Sequence, residues 1–171
     1  GGRRGDRLAR RGHRHLLTLA RDFVRADGST IHRQAYDPRT GRLLGPVFGQ
    51  GASTTSTWAR GQAWAIAGFA RGYALTGDVR LLDAARAVTG YWRAHVPAGC
   101  VPAWDLSIGR AAASRDASAA AIAAYGMLLL ADVEPDAGSA VVVRDDALAT
   151  LGTLTRAPWI QPAGAPGSGV L

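Results

Sequence analysis

The nine residues Ser56-Thr57-Trp58-Ala59-Arg60-Gly61-Gln62-Ala63-Trp64 bring two indoles, a guanidinium and an amide together at the opening of a helix. Such a set suits an acidic sugar. Indole faces stack on the apolar face of a pyranose, a guanidinium forks onto a carboxylate, and amides satisfy hydroxyls. At period 3.6, Arg60 and Trp64 are i, i+4 neighbours on one face, so cation and aromatic wall are expected to point into the same space, with Trp58 near the helix entrance. Trp58 and Trp64 also have an ordinary reading as core aromatics. Arg60 is different: no acid stands three or four residues away in sequence, and a buried guanidinium requires a partner. The expected partner is a ligand carboxylate.

Other reactive side chains read as structural when taken alone. His32 follows Asp27-Gly28-Ser29-Thr30-Ile31 and resembles a half-exposed strand histidine, and Gln50-Gly51 reads as loop. Asp116 opens a helix, where capping accounts for it, and Asp105 follows Trp104 in a loop, so neither is expected to be catalytic. Trp92, Trp104 and Trp159 are expected to pack. No metal site is expected, because His13 and His15 point to different helix faces while His32 and His95 have no Cys or carboxylate at ligand spacing.

The elements that must hold these residues are helical. Asp6 to Arg25 carries an apolar stripe of Leu8, Leu16, Leu19, Phe23 and Val24, which Asp27-Gly28 ends. Thr30 to Leu44 reads as short β-like pieces about a turn at Tyr36-Asp37-Pro38-Arg39-Thr40-Gly41. Ser56 or Thr57 is expected to cap a helix running to about Thr76, with Gln62, Ile66, Phe69 and Tyr73 on one side. Gly77 stops it and Asp78 caps a successor to about His95, so the two should pack antiparallel, with Leu81, Ala85, Val88 and Trp92 inward. Pro97 to Pro102 reads as loop. Asp116 or Ser114 is expected to cap a nearly all-apolar helix ending at Ala131; Pro135 to Ser139 reads as a separator before a weaker helix, Val141 to Thr155. Residues 158–171 are rich in Pro, Gly and Ser and are not expected to be ordered.

Composition bounds the class. A chain of 171 residues with 47% hydrophobic residues can bury one core. All twenty basic residues are Arg, and the net charge of +7 is concentrated before Gly28. With abundant Ala and Gly this suggests coding bias more than a nucleic-acid surface, so no nucleic-acid partner is expected beyond a weakly supported basic arm in residues 1–27. Cys100 is alone and forms no internal disulfide. The run Ala117 to Ala131 is short for a membrane span, so no membrane partner is expected, and the absence of a leader-like segment suggests the cytoplasm.

One resemblance ties the motifs together. Gly28-Ser29-Thr30-Ile31-His32, Tyr36 to Gly41, Gln50-Gly51, Ser56 to Trp64, Thr76-Gly77-Asp78, Val101-Pro102-Ala103-Trp104-Asp105 and Arg115 to Ala121 stand in an order and spacing that resembles the second half of an unsaturated glucuronyl hydrolase, glycoside hydrolase family 88, from about Gly28 to about Leu130. The resemblance implies an all-α fold, part of an (α/α)6 barrel with a short β-like excursion near residues 30–45, the partial domain occupying residues 28–157. It implies a hydrolase that hydrates the C4=C5 bond of a terminal unsaturated uronate in an oligosaccharide, without metal or other cofactor. His32, Gln50, Trp58, Arg60 and Trp64 match its substrate-binding positions. Its catalytic Asp residues match nothing here, so the chain is expected to be a fragment whose partner is the missing N-terminal half of the barrel, and to be poorly soluble alone because inner helix faces lie uncovered. Between Gln50 and Ser56 the acidic residues frequent in the family are replaced by Ala52-Ser53-Thr54-Thr55. The alternatives are an unsaturated rhamnogalacturonyl hydrolase-like enzyme, and a non-catalytic truncated remnant or sugar-binding helical module.

Overall fold

The computed structural model describes residues 3–109, 114–156 and 158–160. In chain order it contains helix α1 (Arg3–Phe23), strands β1 (Gln34–Tyr36) and β2 (Leu43–Pro46), and helices α2 (Ala59–Thr76), α3 (Val79–His95), α4 (Ala117–Val133) and α5 (Ala137–Leu154). The expected helical class with one short hairpin is what forms. Most of the tail, residues 161–171, lies outside the described residues.

Small residues decide how the helices meet. α2 and α4 lie side by side through Ala59, Ala63, Ala67 and Ala70 on one helix and Ala119, Ala120, Ala123, Ala124 and Gly126 on the other, all buried. A Cβ on Gly126 would stand 2.6 Å from the backbone nitrogen of Ala67, so at this crossing the two backbones touch. α3 packs on α2, α5 packs on α4, and α1 rests across α2 and α3. The result is an inner pair, α2 and α4, with the remaining helices outside it. Ile66, Phe69, Leu81, Val88, Trp92, Met127 and Leu130 fill the space between the layers. At about 1.5–3 kcal/mol for each large apolar side chain buried, these residues dominate the stability of the domain.

Local signals place most boundaries. Gly77 adopts a left-handed φ of 68° and its N–H donates to the Tyr73 carbonyl, ending α2; Asp78 accepts from the Arg80 N–H and starts α3. Leu81, Ala85, Val88 and Trp92 are buried as their spacing requires, and so are Gln62, Ile66 and Phe69, while Tyr73 is half-buried. Two outer ion pairs brace the layers: Arg86 Nε donates to Glu134 at 2.8 Å, and Arg93 Nε to Asp146 at 2.5 Å. The Arg86 guanidinium holds the Glu134 carboxyl below the usual carboxylate range.

Several boundaries differ from the sequence reading. α2 begins at Ala59 with Trp58 at its N-cap and no side-chain cap. Ser56 and Thr57 are not caps because longer-range partners recruit their hydroxyls: Ser56 Oγ donates to Asp105 at 2.7 Å, and Thr57 Oγ1 accepts from Arg25 at 3.3 Å. α5 begins at Ala137, four residues before Val141, because the Asp136 side chain caps it by accepting from Ser139 N–H at 2.8 Å. Pro, Asp, Gly and Ser serve there as a helix start, although the same composition marks loops. The hairpin forms as expected, its turn closed by Asp37, which accepts from the Arg39 and Thr40 N–H groups, and by Gly41 at φ 71°. Tyr36 Oη donates to Asp22 at 2.8 Å and ties the hairpin to the end of α1. α4 is less bare than expected. α5 covers one side of it, leaving Ala121 and Tyr125 exposed, and further apolar exposure falls on α5 itself at Val141, Val142 and Leu148.

Gly126→Val is expected to cost about 3 kcal/mol or more in thermal unfolding, because backbone atoms cannot give way to the new side chain. Gly90→Ala, where an added Cβ meets nothing within 4 Å, is expected to raise stability by about 0.5–1 kcal/mol and serves as the control.

Candidate functional site

Three extended segments splice the N-terminal ends of α2 and α4 together and carry the site. Trp58 pairs with Asp105, and Ala103 pairs with Arg115, as antiparallel bridges. The Ala59 N–H donates to the Trp104 carbonyl at 2.9 Å, Leu106 N–H to the Thr57 carbonyl at 2.8 Å, and Trp104 N–H to the Ser114 carbonyl at 3.0 Å. Thus the orphan donor at the uncapped start of α2 finds its partner on the neighbouring segment.

Asp105 is the buried centre of this splice. It is fully shielded from solvent and accepts from Ala52 N–H at 2.8 Å, Ser56 Oγ at 2.7 Å and Ser107 N–H at 2.9 Å. Its carboxylate is fully engaged in holding the loop after Gln50. Gly51 is required there, since a Cβ would lie 2.8 Å from Ser56 Oγ and 3.2 Å from Asp105 Oδ2. A second clamp comes from Arg25, whose guanidinium donates to Ser29 Oγ at 2.9 Å, the Thr30 carbonyl at 3.1 Å and the Ser56 carbonyl at 3.4 Å. This arginine is therefore a strut between the exit of α1 and the entrance of α2, not part of a basic arm.

On this frame His32, Trp58 and Arg60 stand in a row. The His32 ring meets the Trp58 ring edge-on, with centroids 4.7 Å apart and planes at 63°, and Arg60 Cζ lies 5.0 Å from the centroid of Trp58 on a cation–π contact. His32 Nδ1 accepts from the Gln50 backbone N–H at 2.7 Å. An N–H can only donate, so Nδ1 carries the lone pair and the ring proton resides on Nε2, leaving that atom a donor. Burial, with Arg33 nearby, pushes the His32 pKa below its ordinary 6.5. Gly49 makes the approach feasible, because a Cβ there would fall 1.9 Å from Nδ1. Gln50 itself is exposed and contributes through its backbone in this arrangement.

One placement differs from the sequence reading. Arg60 has a protein partner: its Nε lies 3.5 Å from Asp116 Oδ2, while the other oxygen of that carboxylate caps α4 by accepting from Ala119 N–H at 2.8 Å. Sequence neighbours at i±3 and i±4 could not reveal an acid arriving on another helix. Among the described residues the two Nη nitrogens of Arg60 have no hydrogen-bond partner, and its side chain is 39% exposed. Trp64 is 57% exposed. It lines an apolar cleft of about 230 Å³ with His32, Leu16, Phe23 and Phe69, whereas Arg60 lines a separate cavity of about 360 Å³ with Trp104, Arg115, Asp116, Ser118 and Trp159.

Three further residues depart from the initial picture. Gln62, the amide of the opening cluster, is fully buried and donates to the Gly28 and Val88 carbonyls at 2.8 and 2.9 Å, so it braces α2 against α3. Trp104 and Trp159, expected to pack, are half-buried at the Arg60 cavity; Trp92 alone of the three is core. Among the described residues no three His, Cys, Asp or Glu gather to hold a metal, and no helix is long and apolar enough to cross a membrane.

Nitrogen-detected NMR is expected to find His32 as the Nε2–H tautomer near neutral pH. Its ring should titrate below 6.5, so the contribution it makes is complete above that pH and is lost as pH falls through the lowered folded pKa. Asp105→Ala is expected to cost about 2–4 kcal/mol by leaving two N–H groups and one hydroxyl without their acceptor, and to raise amide exchange at Ala52 and Ser107.

No protein-family model matches the chain. Individual relatives do. It is 39% identical over 118 residues to the unsaturated glucuronyl hydrolase of Bacillus sp. (strain GL1), covering 68% of this chain and 31% of that protein. It is 37% identical over 123 residues to the unsaturated chondroitin disaccharide hydrolase of Streptococcus pyogenes serotype M1, covering 71% of this chain and 31% of the relative. Among solved structures, an unsaturated glucuronyl hydrolase specific for heparin superposes with a TM-score of 0.82 at 31% identity, over 88% of this chain and 40% of its own. The Bacillus sp. GL1 enzyme superposes with a TM-score of 0.76 at 36% identity, over 81% of this chain and 37% of its own. The 171 residues thus span about a third of the length of the curated relatives they match. By sequence and by helical-barrel fold, the chain is a relative of the unsaturated glucuronyl hydrolases over that part of their structure.

Proposed function

We propose that this chain forms the uronate-binding wall of an enzyme of the unsaturated glucuronyl hydrolase kind, acting on a terminal unsaturated uronate in an oligosaccharide. The row His32–Trp58–Arg60, in which the Nη nitrogens of Arg60 have no hydrogen-bond partner among the described residues, is the observation that carries the reading. A carboxylate would dock on the Nη nitrogens of Arg60, the ring on the Trp58 indole, and a hydroxyl on His32 Nε2–H, with Gln50 beside it and Trp64 forming a more distant apolar wall. In support, one relative of 32% identity was crystallised with dGlcA-GalNAc6S, and another of 36% identity with dGlcA-Glc-Rha-Glc.

The chemistry is the hydration of a vinyl ether. A proton adds to C4, the hydroxyl of a water adds to C5 and the C4=C5 π bond is consumed; the resulting C5 hemiketal opens to a ketone, leaving C1 a hemiacetal that collapses to an aldehyde and releases the remaining sugars as an alcohol. An acid is needed for the first step. Asp105 is shielded and triply engaged, and Asp116 serves a helix cap and Arg60, so neither is available. The acid therefore has to come from chain beyond these residues, the matched part being about a third of the relatives' length.

The test follows the C4=C5 absorbance of an unsaturated uronate disaccharide and, in parallel, its binding by titration calorimetry. Binding by the 171-residue chain without loss of absorbance, and loss once the remaining part of a relative is added in trans, is the expected result. Arg60→Ala should weaken binding about tenfold. Absorbance loss with the chain alone would return Asp105 or Asp116 to the catalytic role, and absence of binding would leave a non-catalytic remnant.

A further inference from the structure

We infer that the arginine face of α1, with the groove it forms against α3, is a docking track for one chain of an anionic polysaccharide, separate from the His32–Trp58–Arg60 row. Successive residues of a helix turn by about 100° and rise by about 1.5 Å. On that period Arg7, Arg10, Arg11, Arg14 and Arg21 fall within about 100° of arc along about 20 Å of α1. Leu16, Leu19 and Phe23 centre on the opposite side, where the two leucines pack against the core and Phe23 lines the apolar cleft beside Trp64. With its apolar side engaged, the helix turns its arginine side outward, and Arg7, Arg10, Arg11 and Arg14 are all exposed.

Coding bias accounts for arginine in place of lysine, but not for this arrangement. A face that is merely solvated mixes both signs of charge. Here no acid falls within the arc: Asp6 and Asp22 flank it, and Asp22 is taken up by Arg21 at 2.6 Å. The other bridges nearby converge on Asp78, which His13 meets at 2.7 Å and Arg80 at 2.6 Å. Among the described residues Arg7, Arg10, Arg11 and Arg14 have no acidic partner, so four guanidinium forks of one sign stand in a row.

The shape of the track selects its occupant. At Arg14 the face runs into a groove of about 770 Å³ between α1 and α3, with half-buried Leu17 and Ala84 in its floor and Arg21 and Arg80 at its rim. Asp83 is the one acid of that lining among the described residues. A recess between two adjacent helices admits a single strand but not a duplex, and a flat bilayer would touch its rim alone. Single-stranded nucleic acids are held by bases stacked on aromatic rings, and among the described residues this lining holds none. Sulfate and carboxylate groups on a sugar chain take the parallel N–H donors of a guanidinium and need no such platform. Among base-free polyanions a polysaccharide is chosen on the uronate reading of Arg60 and His32 above. Arg25, which donates to the Thr30 and Ser56 carbonyls, closes the groove at the end nearest the site, so a polymer lodged there holds its ends at high effective concentration beside it.

The test measures binding of the full 171-residue chain to a fluorescent heparin oligosaccharide, to duplex DNA and poly-glutamate of matched charge, and to phosphatidylserine vesicles. The heparin oligosaccharide is expected to bind most tightly at about 0.15 M salt, with an affinity that falls as salt rises. The triple variant Arg7→Gln, Arg10→Gln, Arg14→Gln should weaken that binding about tenfold or more. Arg39→Gln, Arg42→Gln, Arg71→Gln removes the same charge from exposed positions elsewhere and should leave it nearly unchanged. If the first triple variant lowers the melting temperature, the single reversals Arg7→Glu and Arg11→Glu replace it, and each should weaken binding. Equal loss in the two triple variants, reversals without effect, or tighter binding of the duplex, poly-glutamate or vesicles overturns the inference. The unsaturated disaccharide, titrated in parallel, should bind the α1 variants as it binds the unaltered chain. Its failure to bind the unaltered chain, while the heparin oligosaccharide still binds through α1, would strike the uronate reading alone.

Discussion

Contact between the backbones of α2 and α4 is the constraint from which the site geometry follows. Gly126 against Ala67, flanked by alanines on both helices, sets the spacing of the inner pair to the closest that peptide atoms permit. Trp58 and Arg60 are fixed to the first turn of one of these helices and Asp116 to the first turn of the other. The 3.5 Å approach of Arg60 to Asp116 is therefore inherited from a crossing several turns away. Alanine and glycine, which look like compositional bias in the sequence, are what allow two charged side chains from different helices to meet.

What could be read from the sequence was local. The Gly77-Asp78 stop and start, the inward face Leu81, Ala85, Val88 and Trp92, and the Asp37 to Gly41 turn are each decided by residues a few positions apart. Reading failed where a distant partner intervened. Ser56 and Thr57 are good capping residues whose hydroxyls were claimed by Asp105 and Arg25. Pro135, Gly138 and Ser139 carry the composition of a loop, and only the capping geometry of Asp136 shows them to be the start of α5. The same applies to the site: motif order names His32, Trp58 and Arg60 as candidates, but their arrangement in a row, the protein partner of Arg60 and the arrival of Trp159 depend on which segment lies beside which.

Positive charge also has a different meaning in three dimensions. Arg25, Arg86 and Arg93 are struts between segments, donating to buried carbonyls or to carboxylates such as the 2% exposed Glu134. Arginine suits this work, since one planar group can satisfy several acceptors at once. A net charge of +7 thus overstates the charge free to meet a polyanion. What remains uncompensated near the site is small and directed, which favours orientation of an acidic ligand over unspecific attraction.

Asp116 gives the domain a mechanical linkage between its helix end and its ligand wall. One oxygen caps the first turn of α4 and the other lies against Arg60, so fraying of that turn would also release the guanidinium. A ligand that holds Arg60 still would by reciprocity slow the opening of α4, and because α4 runs the length of the inner pair, the stiffening would travel into the core. Occupancy at the rim would in this way be felt as rigidity of the helix behind it.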